Sequence, residues 1–244
     1  MLEVCIDSLE SALIAFKNGA DRLEVCSCLI VGGLTPTIGL VKLIKERVDI
    51  PIHVLIRPRQ GDFVYNEEEV QTMIEDIKIF KELGVGGVVI GALTIEDGLD
   101  KSTIEKILKV ADGLHLTFHR AFDQVKEPSE IVEQLIHYGF KTILTSGLKS
   151  TALEGIDLLK ELLLNYGNRI CIMPGSGINL NNFLTIKKHL TNITWFHLSS
   201  KKLKTKSLSL KVDVGNKING ESDFQNQVYV TDGEQLRQIK DLDK

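Results

Sequence analysis

The sequence lacks the features that would assign it to a membrane or to a nucleic acid. None of its apolar runs approaches the ~20 residues that span a bilayer. No basic stretch precedes the first apolar run, so we expect no secretory signal peptide. The net charge of −4 gives no excess of positive charge, and nucleic acids and anionic membranes attract basic proteins. We therefore expect neither a nucleic-acid partner nor a membrane partner.

Cysteine is also scarce, with four residues in a chain of 244. A long chain with few cysteines and no secretion signal is typical of the cytosol, where thiols stay reduced. We therefore predict a cytoplasmic protein. No histidine or third cysteine stands at zinc-site spacing from Cys5 and Cys26, which argues against a structural zinc centre.

Most of the sequence alternates short apolar runs with amphipathic segments, which predicts a parallel sheet covered by helices. Eight such runs lie at 2–6, 22–26, 52–57, 87–92, 114–119, 141–145, 169–173 and 194–198. We predict an α/β fold, a single (β/α)8 TIM barrel that spans residues 1–244 as one domain. An open doubly wound sheet is the alternative, but no glycine-rich dinucleotide fingerprint follows the first strand.

Local signals mark where some helices begin, and one segment breaks the alternation. Asn66 and Glu69 have capping-box spacing, and Thr35 before Pro36 is a good N-cap and first-turn pair. Residues 199–227 are polar and lysine-rich, and they precede a last helix at about 231–241. A connection of this length is either a mobile, solvated loop or a lid over the catalytic face, and both readings stay open.

The tetrapeptide Leu-Glu-Val-Cys occurs twice, at 2–5 and at 23–26. Side chains alternate along a strand, so each glutamate shares a face with the cysteine two residues later. Neighbouring strands lie about 4.8 Å apart, so equivalent positions would bring Cys5 and Cys26 within reach of one ion. Thiolates suit Cu(I), and Cys28 is a third candidate ligand. The alternative is that these cysteines are buried core residues.

Ionisable side chains gather where the third and fifth strands end, at the face on which barrels carry their active sites. Arg57 and Arg59 either neutralise the two buried glutamates or bind a substrate anion. His119 is either a core imidazole or a proton-transfer group. We expect Glu24, Arg57 and His119 to face one pocket, with the Arg57 guanidinium paired to the Glu24 carboxylate.

Small residues follow the sixth and seventh strands. Ser146 precedes a glycine, and Gly175, Ser176 and Gly177 follow one another. Loops of this kind hold a phosphate in many barrels, through backbone N–H groups and a helix N-terminus. The alternative is that they serve only as tight turns. His197 lies in the eighth strand.

Several of these stretches together resemble the CutC copper homeostasis family. The resemblance runs from residue 3 to about 200 and rests on EVCIDSLESALIAFKNGADRLEVCS, GGLTPTIGL, PIHVLIRPRQGDFVYNEEEV, GVGGVVIGALTIEDGLD, LTFHRAFDQV, ILTSGLKSTALEGI and IMPGSGIN. It implies a cytoplasmic TIM barrel linked to copper handling, with Cu(I) ligated by the two cysteines that match Cys5 and Cys26. The family also looks like an enzyme whose reaction is unidentified.

The sequence departs from the family pattern at two positions. Cys28 stands where a glycine is usual, and Val31 stands where an acidic residue usually precedes the glycine pair. The first change adds a thiol beside the second cysteine, and the second removes a carboxylate from the rim of the pocket.

Two functions are consistent with these residues. In the first, the protein binds Cu(I) through Cys5 and Cys26, with Cys28 as a further candidate ligand. In the second, it is an enzyme acting on a small anionic or phosphorylated metabolite. There, Arg57 and Arg59 bind the anion, Glu24 or His119 moves a proton, and the loops holding Ser146 and Gly175–Gly177 bind phosphate. The sequence leaves a monomer and a homo-oligomer both open.

Overall fold

The computed structural model describes residues 1–204 and 228–243 of the chain. Eight parallel strands form one sheet, in the order β7-β6-β5-β4-β3-β2-β1-β8. They are β1 (Leu2–Ile6), β2 (Arg22–Val25), β3 (Ile52–Leu55), β4 (Gly87–Ile90), β5 (His115–Phe118), β6 (Thr142–Thr145), β7 (Cys171–Pro174) and β8 (Phe196–Leu198). The two end strands, β7 and β8, come into contact and nearly close the ring. The predicted TIM barrel is confirmed, and every predicted strand overlaps an observed one.

Helices follow the strands and cover the outside of the barrel. Those in the described residues are α1 (Leu9–Lys17), α2 (Ile38–Lys45), α3 (Glu67–Glu82), α4 (Lys101–Leu108), α5 (Pro128–His137), α6 (Ile156–Tyr166), α7 (Phe183–His189) and α8 (Gly233–Asp243). Short 3-10 helices occupy Leu29–Val31 and Arg120–Gln124. No helix in these ranges is both long enough and apolar enough to cross a membrane.

The main apolar core lies between the strands and the helices, whereas the inside of the barrel holds buried polar side chains beside a few apolar ones. On β1 the outward side chains Leu2, Val4 and Ile6 belong to the main apolar core. The alternate residues Glu3 and Cys5 lie on the other side of the strand, in the lumen. A second, much smaller apolar cluster consists of Cys26, Leu55 and Val89. The alternation that builds the outer core therefore places a row of polar residues inside the ring.

The capping signals were correct for one helix and displaced for another. Asn66 and Glu69 form the predicted capping box at the start of α3. The cap of α2 is Thr37, whose hydroxyl accepts from the Leu40 N–H, and not Thr35. The Thr35 hydroxyl instead accepts from the Arg57 N–H at 2.9 Å, so the Thr35 side chain binds the chain that follows β3 and does not cap the helix.

The long polar segment before the last helix is only partly described. Residues 205–227, most of the predicted loop or lid, lie outside the described residues. On either side of them, β9 (Lys201–Leu203) and β10 (Tyr229–Thr231) pair as an antiparallel ribbon. Part of the predicted loop is therefore a strand, and the last helix begins at Gly233.

Candidate functional site

The two Glu-Val-Cys copies are not aligned across β1 and β2. Glu3 lies opposite Arg22, and Cys5 lies opposite Glu24. The expectation that equivalent positions of the two copies are neighbours is therefore wrong. Cys5 lies opposite Glu24 and not Cys26, a shift of two residues along the strand. The cause is the stagger that strands acquire when a sheet closes into a barrel. The stagger places a cation beside the first glutamate and a thiol beside the second.

Glu3 is fully buried and is neutralised from two sides. Its carboxylate accepts a hydrogen bond of 2.5 Å from Arg22 Nε and lies 2.8 Å from His197 Nδ1. Burial raises the pKa of Glu3, but the hydrogen bond with His197 and the charge of Arg22 lower it to about 2. Arg57 and Arg59 do not neutralise this glutamate, contrary to that reading of the sequence.

Cys5, Glu24 and His197 form a cluster at the carboxyl end of the barrel. One ligand atom of each lies within 4.8 Å of the other two, and His197 Nε2 is 3.7 Å from Glu24 Oε2. Burial raises the pKa of the Glu24 carboxyl to about 7, although the charge of His197 opposes it. Burial lowers the pKa of His197, but contacts with Cys5, Glu3 and Glu24 hold it well above its usual value. The cluster offers a thiol, an imidazole and a carboxyl to one ion.

The other two cysteines near this cluster have different surroundings. Cys26 is buried against Leu55 and Val89, with its Sγ 4.0 Å from the Glu24 carbonyl, and burial raises the pKa of its thiol well above the usual range. Cys28 is exposed, has a φ of 49°, and faces a separate cleft that Cys5 also borders. Their roles as copper ligands stay predictions.

A cavity of about 700 Å³ opens above the cluster. Cys5, Glu24, Arg57, His119 and His197 all line it. The expectation that Glu24, Arg57 and His119 face one pocket therefore agrees with the structure.

The expected ion pair between Arg57 and Glu24 is absent from the described residues. The Arg57 guanidinium donates instead to the carbonyls of Val31, Gly33 and Gly61, at 2.9, 3.1 and 2.8 Å. Arg57 lies beyond the end of β3, where the loop that follows β2 brings carbonyl groups toward it. The partner expected from the sequence was the Glu24 carboxylate, but Glu24 lies level with His53, four residues before Arg57, and the loop backbone takes its place.

Arg59 lies outside the cavity. Its guanidinium pairs with Glu69, the capping residue of α3, and with Asp62 at 2.9 Å. The structure thus gives Arg59 a role in holding the loop between β3 and α3. Its role in binding a substrate anion stays a prediction.

The loops after β6 and β7 differ in how they meet the cavity. Ser176 and Gly177 line it, and a Cβ on Gly175 would lie 3.3 Å from His197 Cδ2. The Ser146 N–H and hydroxyl both bond to the Asp123 carboxylate, at 3.0 and 2.9 Å. Ser146 is therefore engaged within the protein, and anion binding by these loops stays a prediction.

Sequence reasoning missed Arg22 and assigned no task to Asp123. Asp123 accepts hydrogen bonds from Thr145, Ser146 and Leu148, and so fixes the loop after β6. A signal for Arg22 was present, because it stands two residues before Glu24 and so shares its face. No local signal linked it to Glu3, which is 19 residues away.

The fold and the site define a TIM barrel with an ionisable, thiol-containing centre at its carboxyl end. The CutC family matches residues 1–202, and the chain belongs to this family. A CutC family protein of Histophilus somni (strain 2336) is 45% identical over 243 residues, which cover 99% of this chain and 98% of the relative. A human relative named copper homeostasis protein cutC homolog is 42% identical over 211 residues, 86% of this chain and 77% of the relative.

A solved structure supports the same conclusion. The crystal structure of a Streptococcus agalactiae protein assigned as a copper homeostasis protein CutC superposes with a TM-score of 0.78 at 34% identity. The superposition covers 82% of this chain and 98% of that one. The family resemblance read from the sequence is therefore confirmed.

Proposed function

We propose that this chain is a cytoplasmic copper homeostasis protein that binds Cu(I) at the carboxyl end of the barrel. The observation that carries the proposal is the cluster of Cys5, Glu24 and His197, whose ligand atoms lie within 4.8 Å of one another. Thiolate and imidazole are ligands that suit Cu(I). The names of the human and mouse relatives, both copper homeostasis protein cutC homologs, support the same assignment.

The hydrogen bonding of His197 fits a metal ligand. Its Nδ1 lies 2.8 Å from a Glu3 oxygen, so the Nδ1–H donates to the Glu3 carboxylate and Nε2 lies toward Glu24. Metal-ligating histidines usually donate their second ring nitrogen to a carboxylate, which orients the ring. Glu3 would therefore act as the orienting residue of the copper ligand.

Cys5 and Cys26 are the proposed thiolate ligands. Cys5 packs against the small lumen cluster that contains Cys26, so both sulfurs belong to one part of the barrel mouth. All four cysteines are free, which agrees with the reducing cytoplasm. Burial disfavours the Cys26 thiolate, and a bound cation would offset that cost. Cys28, in the adjoining cleft, is a further candidate.

The test is an anaerobic competition titration against a chromogenic Cu(I) chelator. We expect the Cys5→Ser/Cys26→Ser double variant to lose tight Cu(I) binding, and Cys28→Ser to lose part of it if that thiol contributes. Cys171→Ser is the matched control. Cys171 is the first residue of β7, where its thiol contacts the Thr194 hydroxyl, and it lies outside the cluster. Unchanged affinity in the double variant, or tighter binding of Zn(II) than of Cu(I) under competition, contradicts the proposal.

A second candidate function is an enzyme acting on a small anionic or phosphorylated metabolite. It is favoured by the cavity of about 700 Å³, because ligand pockets start at roughly 300 Å³ and one ion needs far less. The raised pKa of Glu24, about 7, suits a group that gives and takes a proton near neutral pH. Crystals soaked in a mixture of phosphorylated and carboxylated metabolites test it, since an empty cavity after soaking counts against an enzyme.

A further inference from the structure

Arg57 is a buried cation for which the described residues supply no carboxylate. Arg57 is 6% exposed, and its two terminal nitrogens donate three hydrogen bonds to backbone carbonyls. The other arginine of the cavity, Arg120, has its charge taken up by Asp123 at 2.7 Å. A buried charge is costly unless an opposite charge compensates it. The backbone carbonyls accept the hydrogen bonds of Arg57 but are neutral, so they do not balance its positive charge. A ligand with one negative charge in the cavity would balance it.

Two donors in this region also have no hydrogen-bond partner among residues 1–204 and 228–243. The first is Arg57 Nε, and the second is His119 Nε2. His119 Nδ1 accepts a hydrogen bond of 3.0 Å from the Ala121 N–H, so in the neutral ring the proton must be on Nε2. Burial, together with the charge of Arg57, lowers the pKa of His119 to about 3, which keeps the ring neutral. Both unpartnered atoms are therefore N–H donors, and neither can accept.

The two donors belong to one arrangement that other residues hold in place. Phe63 contacts both side chains, since its ring centroid is 4.9 Å from that of His119 and 5.0 Å from Arg57 Cζ. His119 also occupies the space above Gly91, where a Cβ would lie 2.6 Å from its Nδ1. Both N–H groups are covered by protein atoms, so a ligand in the cavity reaches them only after a small shift of the cavity wall. Both line the cavity.

We propose that Arg57 and His119 bind the carboxylate of a small organic acid in this cavity. Two oxygen acceptors match the two N–H donors, and one negative charge matches the uncompensated guanidinium. A phosphate monoester carries about −1.5 to −2 at neutral pH, so it would bring more charge than the site can balance. This carboxylate site is independent of copper binding, and it rests on the second candidate function, for which it supplies the ligand class in the same cavity.

The direct test is a nuclear magnetic resonance titration of the nitrogen-15-labelled full chain at constant ionic strength. Sodium acetate, acetamide and sodium phosphate are the probes, with sodium chloride as the salt reference. We expect saturable shifts of the Arg57 Nε–H and His119 Nε2–H resonances with acetate, and none with acetamide or chloride. Phosphate should bind at least tenfold more weakly than acetate. No saturable shift with acetate, or tighter binding of phosphate, overturns the assignment.

Two substitutions at His119 separate the donor from the packing. In His119→Gln the amide nitrogen takes the place of Nε2 and keeps a donor, whereas His119→Asn keeps only a group at the position of Nδ1. We expect acetate affinity to fall at least tenfold in His119→Asn and much less in His119→Gln. Equal loss in both variants, with both folded by circular dichroism, overturns the role of Nε2.

The arginine has a matched control, and the copper proposal can be tested separately. Arg57→Gln should abolish the acetate response, whereas Arg169→Gln should leave it unchanged, because Arg169 forms an exposed pair with Glu133 outside the cavity. The Cys5→Ser/Cys26→Ser variant should still bind acetate, and Arg57→Gln should still bind Cu(I). Loss of acetate binding in the double cysteine variant would overturn the independence of the two sites.

Discussion

Cys5 lies opposite Glu24 across the first two strands of the barrel, one inward-facing position away from the alignment that their repeated tetrapeptides suggest. The shift places a thiol, a carboxyl and the His197 imidazole within 4.8 Å of one another. It also leaves Glu3 opposite Arg22, so one of the two buried glutamates has a permanent cationic partner and the other does not. The two carboxyls consequently have pKa values displaced in opposite directions.

The pH dependence of stability should show this difference. The pKa of Glu24 is raised to about 7, so its contribution to stability is fully present below the usual value of 4.5 and is lost as the pH rises through 7. We expect the wild type to lose stability relative to Glu24→Gln between pH 4.5 and 7.5, measured by urea unfolding. The comparison with Glu3→Gln should have the opposite sign. The pKa of Glu3 is lowered, so the wild type should lose stability relative to Glu3→Gln only as the pH falls from 4.5 toward 2. A constant difference between wild type and Glu24→Gln across this range would contradict the raised pKa.

The buried pair between Arg22 and Glu3 should be important for stability. Both side chains are almost completely buried, and the Arg22 guanidinium also lies 3.9 Å from the centroid of the Trp195 ring. Arg22→Met leaves the Glu3 carboxylate with only the two histidines His197 and His53 beside it, so we expect a loss of about 3 kcal/mol or more in the free energy of unfolding. The exposed pair of Arg169 and Glu133 provides the control, and Arg169→Met should change that free energy little. Equal effects of the two substitutions would show that the barrel interior is better solvated than its burial indicates.

The space at Gly91 should be required for the position of His119. A Cβ there would lie 2.6 Å from His119 Nδ1 and 2.8 Å from the Ala121 side chain. Gly91→Ala should therefore destabilise the protein by about 1 kcal/mol or more and shift the His119 resonances. Gly39→Ala, near the start of α2 and with nothing within 4 Å, should instead stabilise the protein by roughly 0.5–1 kcal/mol. Thermal unfolding of the two variants measures the contrast, and equal stability would mean that His119 can move without cost.

Copper binding should compete with a proton on His197. Its contacts with Cys5, Glu3 and Glu24 outweigh burial and raise its pKa, so the imidazolium must lose a proton before Nε2 can ligate. We expect Cu(I) affinity to increase with pH between 6 and 8 in chelator competition. In His197→Gln the affinity should fall at all pH values, and its pH dependence should become weaker. The same steep pH dependence in His197→Gln would remove this residue from the ligand set.

The sequence by itself determined the architecture and the family. Apolar runs such as 2–6 and 22–26, separated by amphipathic helices, are local patterns, and a parallel sheet is the arrangement that buries both faces of such strands. Alternation within each strand also determined that Glu3, Cys5, Glu24 and Cys26 turn away from the outer core. The polar character of the barrel mouth could therefore be predicted without coordinates.

Only the tertiary structure decided which of these polar residues meet. The pairing of Cys5 with Glu24 follows from the stagger of strands around a closed barrel, a property of the whole ring that no single strand encodes. Arg57 bonds to loop carbonyls and not to Glu24 because the loop after β2 folds back over the end of β3. Local periodicity specifies the face on which a side chain lies, whereas its partners depend on register and loop paths that bring distant parts of the chain together.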